Sequence, residues 1–206
     1  MARKRISRDE IVALAATIVA DRGTEALTYQ VLADGLGVSK QAIIYWFPSK
    51  SELARELILP ALRGESDTAI AAVEGSKSPA DAIARFVRAL TGYHLGNIGR
   101  FRMLYLSGRP VDMAGEAMVT GAALDEIHAI TGPMYAALAA ALARGDYVLS
   151  PATARQQSAI IHMAAIGLLT MLALADAIND PLAHATGPLV DTMIGVLTAG
   201  AATAAR

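Results

Sequence analysis

Cysteine is absent from this chain of 206 residues, and aromatic residues are scarce, with 3 Phe, 6 Tyr and 1 Trp. The lack of cysteine excludes a disulfide scaffold, a thiolate metal site and a cysteine nucleophile. Charge is scarce as well: 18% of the residues are charged, against 54% that are hydrophobic, and the net charge is −1. Disordered chains have the opposite balance, so we expect a folded protein.

Alanine, in contrast, is abundant and occupies 43 positions. Because alanine is the best helix former and aromatic residues favour strands, the predicted fold class is all-α. The first ten residues, MARKRISRDE, are charged where a secretory signal would be apolar. We therefore expect a cytoplasmic protein.

One stretch, residues 158–175, carries no charge and reaches the lower limit for spanning a bilayer. Ser158, His162 and Thr170 interrupt it, and neither a basic cluster nor an aromatic belt flanks it. A buried helix of a soluble oligomer is the better interpretation, and we expect no association with a membrane.

The remaining charge is unevenly distributed along the chain. Residues 1–55 carry eight basic and six acidic side chains, whereas residues 111–206 carry three and eight. Basic residues open the chain without any acid among them: Arg3, Lys4, Arg5 and Arg8. A flexible basic arm can bind nucleic acid, but a basic tail can also serve solubility alone, and both interpretations stay open.

The first fifty residues show the start and stop signals of short helices. Ser7 and Glu10 form a capping box before an apolar helical stripe that Gly23 ends. Thr28 begins a second helix, and Ser39 begins a third after a turn that contains glycine. Three short helices with such a turn between the second and third are the layout of a helix-turn-helix.

The third helix has an outward face suited to DNA. With Ile43 buried, Lys40 can reach a phosphate or guanine, Gln41 can pair with adenine, and Ile44 can contact a thymine methyl. Tyr45 offers its hydroxyl to a phosphate. The alternative is a plain three-helix subdomain with a solvated face. The residues that we predict to contact DNA are Arg3, Lys4, Arg5, Thr28, Ser39, Lys40, Gln41, Ile44, Tyr45 and Lys50.

These fifty residues also carry a family resemblance. The segments GTEALT at 23–28, LADGLGVSKQAIIYWF at 32–47 and PSKSEL at 48–53 resemble the DNA-binding domain of TetR-family transcriptional regulators. The family's usual tyrosine, three residues before Phe47, is Ile44 here, and a tyrosine follows as Tyr45. Either Tyr45 takes over the phosphate contact or that contact is lost. The positions that match the family pattern are Gly23, Thr28, Gly37, Val38, Ser39, Phe47, Lys50 and Leu53.

The resemblance implies two domains, a helix-turn-helix domain at 1–52 and a helical domain at 53–206 that binds a small ligand and forms a two-fold dimer. In the second domain, apolar periodicity predicts helices over 80–94, 97–106, 112–144, 152–178 and 186–203. Pro60 and Gly64 are expected to interrupt the helix that begins after Ser49, and residues 131–133 are expected to break the long helix.

The last two helices are the predicted dimer surface, as part of a four-helix bundle. The helix over 152–178 is apolar almost all round, which favours burial from more than one side. An ordinary internal pair of core helices is the alternative. The residues predicted at the interface are Ala164, Gly167, Met171, Leu189, Met193 and Val196.

The ligand site is harder to locate from sequence. Methionine side chains adapt to irregular ligands, and a few polar groups lie among them, but both kinds of residue are also common in ordinary cores. His128, His162 and Arg102 together could receive a carboxylate or a phenol. The predicted ligand contacts are Tyr93, Arg102, Met103, His128, Met134 and His162.

Enzyme motifs are missing: the chain has no GxGxxG, P-loop, HExxH or GxSxG pattern, and its four histidines lack metal-ligand spacing. We expect no enzyme, no cofactor and no metal. The predicted function is a homodimeric repressor that binds an inverted-repeat operator in double-stranded DNA and is released by a small, mostly apolar inducer. Two alternatives stay open, an architectural DNA-binding protein without inducer and a helical small-molecule enzyme or carrier.

Overall fold

The computed structural model describes residues 6–106, 121–144, 149–178 and 185–203. Within these ranges every regular element is helical, which confirms the predicted all-α class. The longer helices are α1 (Arg8–Arg22), α2 (Tyr29–Leu36), α3 (Lys40–Trp46), α4 (Lys50–Val73), α5 (Pro79–Leu95), α7 (Gly121–Leu142), α8 (Pro151–Ala177) and α9 (Thr186–Thr203). The short helix α6 (Ile98–Phe101) leads directly into a π-helical segment, Arg102–Leu106.

The chain divides into two compact units. The first unit comprises residues 1–62 and 97–127, and the second comprises residues 63–96 and 128–206. The first therefore takes in more of the chain than the predicted domain at 1–52. Leu53 and Leu57, in the first half of α4, are part of its core. A functional boundary at 52/53 stays a prediction.

Local signals fix the ends of the helices in the first unit. The Ser7 hydroxyl accepts a hydrogen bond from the Glu10 amide at 3.1 Å, and the Glu10 carboxylate accepts one from the Ser7 amide at 2.7 Å. Gly37 ends α2 with a φ of 67°, a left-handed conformation that glycine adopts without steric cost. The resulting turn brings α3 against α2, as the sequence predicts.

Two predicted helix interruptions are wrong. Helix α4 continues through Pro60 and Gly64, and α7 continues through residues 131–133. A proline inside a helix costs about 3 kcal/mol. Packing on both sides offsets this cost, because Leu57 and Ala61 flank Pro60 and are buried, while the proline itself lies on the exposed face.

The second unit has a core of its own. Helix α5 supplies Ile83, Phe86 and Leu90, none of which is exposed to solvent. They pack with buried side chains of α7, α8 and α9, so α5 is covered on several sides. Residues contributed by those helices include Met134, Leu138, Ile161, Ala165, Val190 and Ile194.

Candidate functional site

Helix α3 presents its polar face to solvent. Ile43 and Phe47 are completely buried, and they fix which face of this short helix points outward. Lys40 and Gln41 are exposed, Ile44 is 37% exposed and Tyr45 is 80% exposed. The four side chains therefore lie on the solvent-facing side of the helix, where a base pair or a phosphate could contact them.

The other predicted DNA contacts in the described residues lie at helix N-termini. The Thr28 hydroxyl accepts from the Val31 amide at 3.1 Å, and the Ser39 hydroxyl accepts from the Ala42 amide at 3.3 Å. Lys50 is the first residue of α4 and is partly exposed. Arg3, Lys4 and Arg5 lie outside the described residues.

Arg8 and Tyr29, which are not among the ten predicted DNA contacts, hold the C-terminal end of α3. Arg8 donates to the Trp46 carbonyl at 3.3 Å and to the Glu56 carboxylate at 2.9 Å, and its guanidinium lies 4.4 Å from the centre of the Phe47 ring. The Tyr29 hydroxyl donates to the Phe47 carbonyl at 2.8 Å. Burial, and then the charge of Glu52, raise the pKa of Tyr29, so this hydroxyl keeps its proton.

The predicted ligand contacts are divided between the two units. Arg102 and Met103 belong to the first unit, where Met103 lines a cavity of about 110 Å³. Tyr93, His128, Met134 and His162 belong to the second. The cavity is lined by Ala16, Val19, Ala20, Leu57, Ala61, Asn97, Arg100 and Met103.

A buried polar network lies inside the second unit and includes one of the predicted ligand residues, His162. Glu65, which is 1% exposed, accepts from both histidines of the network. Its Oε2 lies 3.1 Å from Nε2 of His94, and its Oε1 lies 3.2 Å from Nε2 of His162. The Tyr135 hydroxyl lies 2.7 Å from Nδ1 of His162. Four helices, α4, α5, α7 and α8, each contribute one residue.

One tautomer of a neutral His162 satisfies both of its contacts. With the imidazole proton on Nε2, His162 donates to Glu65 and accepts from the Tyr135 hydroxyl at Nδ1. Burial, and then the negative charge of Glu65, raise the pKa of Tyr135 above its ordinary value of 10.0. Tyr135 therefore stays neutral and remains the donor.

The carboxylate beside His162 in this structure is that of Glu65. The combination of His128, His162 and Arg102 as a ligand site stays a prediction. His128 is exposed on α7, and Met134 is buried in the apolar core. Tyr93 lies over Gly64, where an added Cβ would come within 2.6 Å of its hydroxyl oxygen.

One face of α8 is apolar and exposed in the single chain. Its residues recur at intervals of three or four, which places them on one side of the helix. Of the predicted interface residues, Gly167 and Met171 lie in this stripe, and Val196 is exposed on α9. Ala164, Leu189 and Met193 are partly buried, and Met193 packs against the core. The exposed stripe consists of Ile160, Met163, Gly167, Met171 and Leu174 of α8, and of Ile178, which directly follows the helix.

Helix α8 is also long and apolar enough to cross a membrane, with a mean hydropathy of 2.0 over 18 residues. A single helix of this kind is weak evidence, because the core helix of a soluble protein meets the same criteria. Ser158 and His162 lie on its buried face.

Known DNA-binding regulators resemble this chain in sequence, most densely in the first unit. The family model "Bacterial regulatory proteins, tetR family" matches residues 11–57. The HTH-type transcriptional regulator Rv1816 of Mycobacterium tuberculosis is 29% identical to this chain over 157 residues. The aligned residues cover 75% of this chain and 65% of that protein, so the chain spans less than two thirds of the length of this relative. The HTH-type transcriptional repressor KstR2 of Mycolicibacterium smegmatis is 39% identical over 51 residues, 25% of each protein.

The similarity in fold extends over nearly the whole chain. A variant of TetR from Acinetobacter baumannii, crystallised in complex with minocycline, superposes with a TM-score of 0.67 over 98% of this chain and 99% of that one. At 16% identity this likeness concerns the fold alone. The matched family and the curated relatives are regulatory proteins, in agreement with the prediction that the chain is not an enzyme. The segment of residues 11–57, which includes α2 and α3, is therefore similar to the tetR family of bacterial regulatory proteins.

Proposed function

We propose that the protein is a homodimeric, cytoplasmic transcriptional repressor whose two α3 helices bind the half-sites of an inverted-repeat operator. A small, mostly apolar inducer binds the second unit and releases the dimer from DNA. The inducer would lower the affinity of the protein for its operator, and the operator would lower the affinity for the inducer. Thermodynamic linkage requires that the two affinities fall by the same factor.

The exposed face of α3 is the observation that carries this proposal. Burial of Ile43 and Phe47 leaves Lys40, Gln41 and Tyr45 facing solvent. A cation, an amide and a hydroxyl on one helix face provide a phosphate or guanine contact, an adenine contact and a second phosphate contact. The family match over residues 11–57 covers this helix and supports the same role.

The apolar stripe of α8 supports a dimer. Met171 is 65% exposed and Val196 is 67% exposed, although both are apolar. Monomeric proteins rarely expose a contiguous apolar face of this kind, which marks an interface. A second copy of the chain is the occupant that we propose, because Gly167 in the middle of the stripe allows a partner helix to approach closely.

The polar network of the second unit supports a ligand site there. Mostly apolar walls with a few orienting polar groups describe a small-molecule site. His162 and Met134, two of the predicted contacts, lie in this unit, and Tyr135 is the partly exposed end of the network. Because Glu65 already supplies a negative charge, we expect an inducer that is neutral or cationic in preference to a carboxylate.

Selection of binding sites from random duplexes tests the DNA part. The wild-type protein is expected to enrich an inverted repeat whose half-sites are separated by about one helical turn or more. Gly167→Glu should yield a monomer on sedimentation and lose operator binding, because it places a charge in the stripe. Gly92→Glu, at an exposed glycine of α5 with open space around it, should stay dimeric and bind normally. Failure to enrich any motif would contradict the proposal.

A thermal-shift screen of apolar metabolites tests the inducer part. Compounds that stabilise the wild-type protein are titrated into the protein–operator complex, and the proposal requires that at least one of them lowers operator affinity by about 10-fold or more. If every stabilising compound leaves operator affinity unchanged, the second unit binds ligands without acting as a switch.

A further inference from the structure

Contacts within α3 are not sufficient to fix the position of its C-terminal end. The helix has only seven residues, a length at which isolated helices are not stable in water. Its last carbonyls have no intrahelical donor, and Pro48, which follows Phe47, brings no amide N–H to the turn. The direction of the helix therefore depends on what other elements supply at this end.

Side chains from two other helices reach this end. Arg8, the first residue of α1, bonds to the Trp46 carbonyl and stacks on the Phe47 ring, while its contact with Glu56 ties it to α4. Tyr29, the first residue of α2, bonds to the Phe47 carbonyl. Two consecutive carbonyls are thus each bonded to a different helix, and a cation lies at the negative end of the α3 dipole.

We propose that Arg8, with Tyr29, is a positioning residue for α3 and determines how well the protein discriminates between DNA sequences. The proposal rests on the DNA-binding function proposed above. Arg8 follows the basic residues of the N-terminus in sequence, but its guanidinium is engaged with the protein. It acts on DNA through the direction of α3 and makes no phosphate contact.

Positioning and phosphate binding have different consequences for DNA binding. Base contacts are directional, so a small rotation of α3 weakens the pairing of Gln41 with a base far more than it weakens the attraction of Lys40 to phosphate. Loss of Arg8 as a positioning residue therefore lowers affinity for the selected operator and leaves nonspecific affinity and its salt dependence almost unchanged. Loss of a phosphate contact would instead reduce the slope of log K against log salt by about 0.9 and weaken all sequences alike.

The experiment compares Arg8→Met, Arg8→Lys and Tyr29→Phe with Arg22→Met. The control removes the same charge from the exposed far end of α1. Affinity is measured for the duplex that the wild-type protein selects and for a scrambled duplex of the same composition, at several salt concentrations. Arg8→Met should lower the ratio of the two affinities at least ~10-fold with an unchanged salt slope. Arg8→Lys should recover part of the loss, Tyr29→Phe should show a smaller loss, and Arg22→Met should match the wild type.

Trp46, the only tryptophan of the chain, separates positioning from unfolding. Below the melting transition, Arg8→Met should increase the quenching of its fluorescence by acrylamide, because the end of α3 is released. If Arg8→Met does not fold, the positioning role is tested with Tyr29→Phe, which removes only one hydroxyl. The measured quantity is again the ratio of the affinities for the selected and the scrambled duplex.

Two results would overturn the inference while the proposed function stands: a wild-type affinity ratio in folded Arg8→Met and Tyr29→Phe, or a reduced salt slope for Arg8→Met with an unchanged ratio. If the wild-type protein selects no sequence at all, the proposed function fails and the positioning role fails with it.

Discussion

The two units differ in how deeply their polar side chains lie. Among the described residues, all six buried polar ones belong to the second unit, although that unit has surface caps as well, at Ser78 and Ser150. In the first, the Ser7, Thr28 and Ser39 hydroxyls each bond to an amide three residues away, at the end of a helix near the surface. In the second, Glu65 is buried and bonds to residues 29 and 97 positions away in sequence. Caps of the first kind define where helices begin, whereas the second kind of contact defines which helices pack together.

This difference in burial determines how much unfolding free energy the protein loses when a polar group loses its hydrogen-bond partner. A surface cap contributes about 1 kcal/mol, because water replaces the missing partner. A buried carboxylate between two imidazoles cannot be rehydrated in place, so removing any member leaves the others without compensation. The first unit is therefore expected to tolerate polar substitutions that the second does not.

The largest expected effect comes from Glu65. Glu65→Ala removes the acceptor of two buried imidazole donors and should lower the free energy of unfolding by about 2–6 kcal/mol, about 1–3 kcal/mol for each donor. Asp67→Ala, at an exposed acid of the same helix, should change it by less than about 0.5 kcal/mol. Chemical denaturation measures both. Equal effects of the two substitutions would remove the proposed contrast between the units.

Two adjacent isoleucines of α3 allow a buried position and an exposed position of the first unit to be compared. Ile43→Ala empties a fully buried position and should cost about 2–5 kcal/mol of unfolding free energy. Ile44→Ala should cost less than about 1 kcal/mol, because that side chain is already partly in water. In DNA binding, we expect the folded Ile44→Ala protein to lose preference for a thymine. Comparable stability losses would mean that the outward face of α3 is misassigned.

A smaller effect is expected from Tyr135 at alkaline pH. Because the pKa of Tyr135 is raised in the folded protein, the folded state holds the proton more tightly than the unfolded state. Its contribution to stability is present below about pH 10 and is lost as the pH rises further. The Tyr135→Phe variant should therefore lose less stability between pH 9 and pH 11 than the wild type. The difference should be a few tenths of a kcal/mol, because Tyr135 is only partly buried and solvent screens its charge.

The control for this pH dependence is Tyr45→Phe, which removes an exposed hydroxyl. It should follow the wild-type profile over the same range. Parallel pH profiles for the wild type and Tyr135→Phe would show that the raised pKa makes no contribution.

Contacts between neighbours in sequence were predictable, and distant contacts were not. Caps at Ser7, Thr28 and Ser39 and the turn at Gly37 follow from residue type and spacing, and α9 begins and ends where its apolar pattern predicts. Pro60 shows the limit of such signals, because packing of its neighbours overrides its local preference.

The sequence gives no comparable signal for the long-range contacts. Glu65 lies between Arg63 and Asp67, so it has the local pattern of a solvent-exposed acid, yet it is buried and bonds to histidines of α5 and α8. Arg8 follows a basic run and is predicted to belong to it, although its partners lie 38 and 48 residues away. In both cases the function of the residue depends on tertiary packing, which the periodicity of apolar residues in the sequence does not indicate.

The central claim is that the outward face of α3 reads base pairs, and Gln41 tests it most directly. Binding-site selection is performed with the wild type, with Gln41→Ala and with Gln30→Ala, a control at an exposed glutamine of α2. Gln41→Ala should relax the preference at one base pair of each half-site by about 1–3 kcal/mol and leave the other positions unchanged. An unchanged motif for Gln41→Ala would contradict the claim that this face of α3 contacts bases.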